Sequence, residues 1–210
     1  MKRNFIWLIM ALVVFAVAGC GGGHDDRPLI ETVIDSIADV DGDIVEDAAG
    51  TTRTVTVASG DPGSIVLAGV DFGTGDEYRA FLNFPLSSVP LNATIQSATL
   101  NVVIRGLDTL PVGASLPLLV DLVFFPTLAL APSHFDQAPL ATTSHTIVPG
   151  NVNDLGGVNI DVTSLMVRAQ IAQHDNFQVR ILQNFVSSPL GVIEIDESDA
   201  FAPQLTVVYF

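Results

Sequence analysis

An antiparallel β-sandwich or barrel with one short helix is the fold this sequence predicts, on three observations. Two stretches alternate apolar and polar residues with period two, which sets one face of a strand against a core. Tyr78, Ala80, Leu82, Phe84 and Leu86 form the first stripe, and Ala98, Leu100, Val102 and Ile104 the second. About ten short apolar runs are separated by turns rich in Gly, Pro, Asn and Asp, as in all-β domains. A single segment beyond the N-terminal leader, near residues 163–174, has helical spacing, which leaves no room for strands alternating with helices.

Residues 1–19 stand apart from this pattern. Lys2 and Arg3 precede the apolar run from Phe5 to Val17, which closes on Val17-Ala18-Gly19-Cys20. The run is too short for a spanning helix, which needs about 20 apolar residues, and its flanks are those of an export signal. The closing residues resemble a bacterial lipobox, so Cys20, the only cysteine, is the expected lipidation site. Several acyl chains, each contributing about 0.8 kcal/mol per buried methylene, anchor a protein without a transmembrane helix. Gly21-Gly22-Gly23 opens a flexible tether assigned to residues 20–35. Glycine, not aspartate, follows the cysteine; by resemblance to Gram-negative lipoproteins, this directs the chain to the outer membrane or cell surface.

The domain proper is read as residues 36–210. It begins with the densest acidic run, Asp39-Val40-Asp41-Gly42-Asp43-Ile44-Val45-Glu46-Asp47. Two readings stand here. Asp41-Gly42 is a turn signal between two strands, and Asp39, Asp41 and Asp43 are candidate ligands of a calcium ion, a hard cation that takes several carboxylate oxygens. The spacing is not that of an EF-hand, because Gly42 comes too early and Gly50 stands where the bidentate glutamate belongs. Thr52–Ala58 then alternates, Gly60-Asp61-Pro62-Gly63 turns, and Ile65–Ala68 is a short strand. The glycine-rich Gly69–Asp76 lacks the lysine and following helix of a phosphate loop.

Leu116–Phe125 carries Leu118, Val120, Leu122 and Phe124 on one face and is mostly apolar on the other, as expected of a central strand covered on two sides. From Pro126 to Gly157 the periodicity breaks, which predicts either a functional loop or irregular edge strands. His134 and His145 are too sparse for a zinc site, and His134 beside Asp136 is not the spacing of a catalytic pair. Val158–Val162 is a strand, and Thr163 reads as a helix N-cap before Leu165, Met166, Ala169 and Ala172. Strands at Phe177–Val186, Val192–Ile195 and Leu205–Phe210 follow, with an acidic loop, Asp196–Pro203, before the last.

After Lys2 and Arg3 leave with the signal, six arginines and no lysine face 23 acidic residues, a net charge near −17. Nucleic acid, which demands clustered cations, is thereby excluded as a partner. No intrachain disulfide can form, so stability falls to the core.

The stretch YRAFLNFPLSSVPLNATIQSATLNV, beginning at Tyr78, resembles the "R-x-F-L-x-F-D-L-S-x-I-P-x-G-A-x-I-x-S-A-x-L" core of the DNRLRE-domain family. Asp161-Val162-Thr163 opening a helix, the closing Pro203, Leu205, Val207 and Tyr209, and the leading Asp41-Gly42-Asp43-Ile44 are similar to its other hallmarks. The resemblance covers residues 36–210 and implies a jelly-roll-like β-sandwich in an extracellular bacterial protein. Members often accompany polysaccharide lyases, and some are classed as carbohydrate-binding modules with alginate-type acidic polysaccharides among their ligands. Pro85 departs from the family's aspartate, and the mature chain has no tryptophan, since Trp7 lies in the leader. Sugar-binding faces use stacked aromatic rings, yet Tyr78 and Tyr209 both fall on expected core faces.

The expectation is a surface-anchored, non-catalytic lipoprotein whose sandwich binds carbohydrate or another extracellular polymer, with Arg79 and Arg105 as candidate ligand-binding residues. The alternative is a structural or adhesive envelope module, calcium-stabilised and without a small ligand, whose partner is an envelope protein. An enzyme is not expected, because no nucleophile–base constellation or catalytic metal motif is present.

Overall fold

Alternation along the chain becomes two facing antiparallel sheets. The computed structural model describes residues 28–125, 129–185 and 189–210; the leader, Cys20 and the glycine run lie outside them. The strands are β1 (Ile30–Asp35), β2 (Gly42–Glu46), β3 (Arg53–Val57), β4 (Ile65–Val70), β5 (Glu77–Pro85), β6 (Ile95–Val102) and β7 (Ile104–Leu110). After these come β8 (Leu116–Val123), β9 (Ala141–Ile147), β10 (Val158–Asp161), helix α1 (Thr163–Ile171), β11 (Asn176–Gln183), β12 (Leu190–Asp196) and β13 (Gln204–Tyr209). The smaller sheet runs β1-β13-β6-β10. The larger runs β7-β12-β4-β5-β11-β8-β9, with β2 paired to β5 and β3 to β2. This is the expected all-β sandwich with one short helix.

The main core lies between the sheets. Leu82, Phe84, Leu100, Leu122, Val179 and Ile193 are fully buried there, and α1 adds Leu165, Met166 and Ala169. Burying each such side chain stabilises the fold by about 1.5–3 kcal/mol. The larger sheet buries its opposite face as well. Phe81 and Val123 alternate with Leu82 and Leu122, and they pack with Ile44, Phe125 and Phe135 in a second cluster. Phe135 comes from the segment following β8, so part of the aperiodic stretch 126–157 is a cover over the sheet. Another part, β9, is an edge strand pairing with β8.

Four boundaries differ from the sequence reading. The sheet begins at Ile30, inside the segment assigned to the tether, because β1 pairs with the closing strand β13. The alternation read as one strand through Arg105 divides at Val103; β6 belongs to the smaller sheet and β7 to the larger. The chain turns at Ala38–Val40, before Asp41-Gly42, and Gly42 is already in β2. Thr163 is the first helical residue, with Val162 at the N-cap. Its hydroxyl donates to Asp161 (2.6 Å) and accepts the Ala98 N–H (3.0 Å), tying the helix start to β6. Among the described residues no helix is long and apolar enough to cross a membrane.

Candidate functional site

A groove of about 450 Å3 opens on the larger sheet over β4, β7 and β12, beside the loop preceding β5. Strand period explains its position. Val66, Ala68, Ile193 and Ile195 point into the core, so Leu67, Val192 and Glu194 point out and line the groove with Leu107 and Asp108 of β7. Asp71, Phe72 and Tyr78 close one side. The loop holds its shape locally, because Asp71 Oδ1 accepts the N–H groups of Gly73 (2.7 Å) and Thr74 (3.2 Å). Phe72 is left 39% exposed at the rim. Glu194 lies over Gly106, where an added Cβ would stand 2.8 Å from its carboxyl carbon.

Tyr78 was expected in the core but is only half-buried and lines this groove. Tyr209 is buried as expected, its hydroxyl reaching the Ser88 carbonyl (3.3 Å). The groove thus has an aliphatic and aromatic floor, carboxylates from Asp71, Asp108 and Glu194, and, among the described residues, no cationic lining residue. Its volume is within the range of small-ligand sites.

The two candidate arginines, Arg79 and Arg105, lie elsewhere, with their charges paired. Arg79 Nε donates to Glu77 (2.7 Å), and its Nη1 donates to the Phe135 carbonyl and Asp136. Its guanidinium stacks 3.7 Å from the Phe135 ring centroid, beside that of Arg53 at 4.6 Å. Arg105 Nε donates to Asp196 (2.6 Å). Asp136 is engaged by Arg53 and Arg79, while His134 Nδ1 accepts the Ala131 N–H (3.1 Å) and its ring stacks on Phe125. The neighbours His134 and Asp136 therefore serve separate contacts.

The three candidate calcium ligands do not converge. Asp39 is exposed, and Asp43 is buried with its carboxylate accepting the Leu67 N–H (3.2 Å). Asp41, with no exposed surface, accepts the Asn83 N–H through Oδ1 (2.7 Å). Its carboxyl lies against that of Glu197, also wholly buried, and the Ser36 hydroxyl flanks both. Among the described residues no group of three or more His, Cys, Asp or Glu side chains gathers as metal ligands. Glu197 was not singled out from the sequence. It lies in the acidic loop 196–203, but nothing in the spacing links it to Asp41.

Burial disfavours charge on both groups. It lifts Asp41 to about 8, opposed by the Asn83 N–H, and Glu197 to about 9, with the Asp41 carboxylate adding to the rise. Acids whose pKa is higher in the folded state hold their protons more tightly there, so stability falls as pH rises toward the folded pKa. His134, His145 and His174, depressed mainly by burial, act oppositely, but only up to about their ordinary value of 6.5. Asp43, raised by burial to about 6, is ionised above that. With cations chelated, the thermal midpoint is therefore expected to fall between pH 7 and pH 9, and scanning calorimetry in EDTA measures it. A midpoint that holds or rises across that window would refute the assignment.

No family model matches the chain, and no curated protein matches it.

Proposed function

We propose that this chain is a surface-anchored, non-catalytic lipoprotein whose sandwich binds carbohydrate in the groove over β4, β7 and β12. The observation carrying the reading is the groove's chemistry: Tyr78 and Phe72 beside Leu67, Leu107 and Val192, with Asp71, Asp108 and Glu194 among them. A sugar ring presents apolar C–H faces and a girdle of hydroxyl donors. Aromatic and aliphatic surface suits the former, and carboxylates accept from the latter in strong charge-assisted bonds. Lining carboxylates without a cation repel anionic sugars, so the ligand is a neutral glycan and not an acidic one of the alginate type. Arg79 and Arg105, the sequence-derived candidates for an acidic sugar, are occupied by carboxylates of this chain. The resemblance to the DNRLRE-domain family and the lipobox-like leader support the extracellular, membrane-anchored part of the reading.

A glycan array followed by titration calorimetry tests this. Tyr78→Ala and Glu194→Gln are each expected to weaken binding at least tenfold, equivalent to about 1.4 kcal/mol, with circular dichroism unchanged. Neutral-glycan binding that both variants retain would place the site elsewhere. A chain that binds no glycan would leave the alternative, a structural or adhesive envelope module.

A further inference from the structure

Four interior oxygens face one another in one cluster and have no hydrogen-bonding partner outside it: Asp41 Oδ2, both carboxyl oxygens of Glu197, and Ser36 Oγ. Both carboxyl side chains have no exposed surface. Unpaired buried acceptors are rare in folded proteins because each forfeits its hydration without replacement. The charges acting on Glu197 are those of Asp41 and Asp196, both acidic, and Asp196 is already engaged with Arg105. Among the described residues no cation faces these two carboxyls and the hydroxyl, a balance of charge that a dication would supply.

The cluster also sits at a junction. Ser36 follows β1 of the smaller sheet, and its N–H donates to the Pro203 carbonyl (2.9 Å). Asp41 precedes β2 of the larger sheet and is bonded to β5 through Asn83. Glu197 follows β12, with its N–H on the Ser64 carbonyl (2.9 Å). Three segments that cross between or leave the two sheets thus contribute the oxygens.

We infer that Asp41, Glu197 and Ser36 form a structural cation site, selective for calcium, that clamps the β1–β2 crossover to the end of β12. Two carboxylates neutralise a dication. An all-oxygen donor set, with one glutamate offering both oxygens, suits calcium, whereas magnesium demands a near-ideal octahedron and keeps its waters. The site is separate from the groove, and its occupancy does not depend on any glycan.

The test is titration calorimetry and thermal unfolding of the purified, EDTA-stripped protein with calcium or magnesium chloride. Calcium is expected to bind one per chain and raise the melting midpoint, with magnesium at least tenfold weaker. Glu197→Gln is expected to weaken calcium by more than about 100-fold, beyond the 10–100-fold loss typical of a changed outer-shell partner. Ser36→Ala, which keeps both carboxyls, covers the case of a misfolded Glu197→Gln and is expected to weaken calcium about tenfold. Asp39→Ala, at an exposed neighbour, is expected to bind as the parent does. Absence of calcium binding to the parent protein would mean that the carboxyls share a proton instead, overturning the site. Unchanged affinity in Ser36→Ala or a folded Glu197→Gln, or loss of affinity in Asp39→Ala, would also overturn it.

Discussion

Replacing Arg180 by methionine is expected to destabilise the protein by about 3–5 kcal/mol, the range for removing one partner of a buried ion pair. Arg180 is 4% exposed on β11. Its Nε and Nη2 donate to Asp121 Oδ2 at 3.2 and 2.5 Å. Nη1 meets the carbonyls of Phe135 (2.6 Å), Gln137 (2.9 Å) and His134 (3.4 Å). One side chain therefore neutralises a buried carboxylate on β8 and fastens the segment that lays Phe135 over the second apolar cluster. Methionine retains much of the volume but strips Asp121 of its guanidinium, leaving the Thr142 hydroxyl (2.6 Å) as its side-chain partner among the described residues. At roughly 2–4 °C per kcal/mol for a chain of this size, the thermal midpoint should fall about 6–20 °C.

Arg180→Met combined with Asp121→Leu separates the two contributions. Exchanging a whole buried pair for apolar residues is often neutral, so recovery should be substantial. It should stay incomplete, because the Gln137 carbonyl loses its donor, at about 1–3 kcal/mol if left dry, whereas the Phe135 carbonyl keeps Arg79. Full recovery would mean that the Gln137 carbonyl finds water, and hence that the cover is looser than its contacts imply.

The scaffold was legible in the sequence because most strands lie against a core on one face, and that asymmetry writes a period of two. Tyr78–Pro85 shows where this rule stops. Ala80, Leu82 and Phe84 entered the core as the stripe predicted, yet Tyr78, in the same register, is half-buried beside the groove. At that end β5 pairs with both β2 and β4. Period alone does not encode such an irregularity. The division at Val103 was hidden for a related reason, since Val102, Val103 and Ile104 are all buried and no polar residue marks the change of sheet.

The candidate sites were legible only as segments. Gly69–Asp76 and Asp196–Pro203 stood out as loops without periodicity, and they supply Asp71 and Phe72 to the groove and Glu197 to the carboxyl cluster. Their partners come from strands remote in sequence, such as Asp108 and Glu194, which no spacing or motif singles out. The acidic run Asp39–Asp43 drew attention through its spacing, but burial selected its members. Asp41 turned inward to Glu197, Asp43 to the Leu67 amide, and Asp39 outward.

Gly69 connects scaffold and groove, and Gly69→Ala is expected to destabilise the protein by about 3 kcal/mol or more. The residue has φ of +124°, where side chains are strained by about 1–3 kcal/mol. The closer constraint is steric. An added Cβ would lie 2.0 Å from the Gly191 carbonyl oxygen and 3.0 Å from Val192 Cα, both backbone atoms of β12 that no rotamer change can remove. Gly69 pairs with Val192 on one side and Tyr78 on the other. To admit the methyl, β12 must move away from β4, carrying Val192 and Glu194 away from Tyr78. Gly50→Ala is the control, because Gly50 also has positive φ (67°) but no atom lies within 4 Å of its added Cβ. Strain alone should limit that substitution to about 1–2 kcal/mol. Chemical denaturation of both variants measures the difference, and equal losses would show that conformation, not the approach of β12, fixes glycine at 69. Glycan titration of folded Gly69→Ala should then show weakened binding with every lining side chain intact, since the groove depends on the spacing of the strands beneath it.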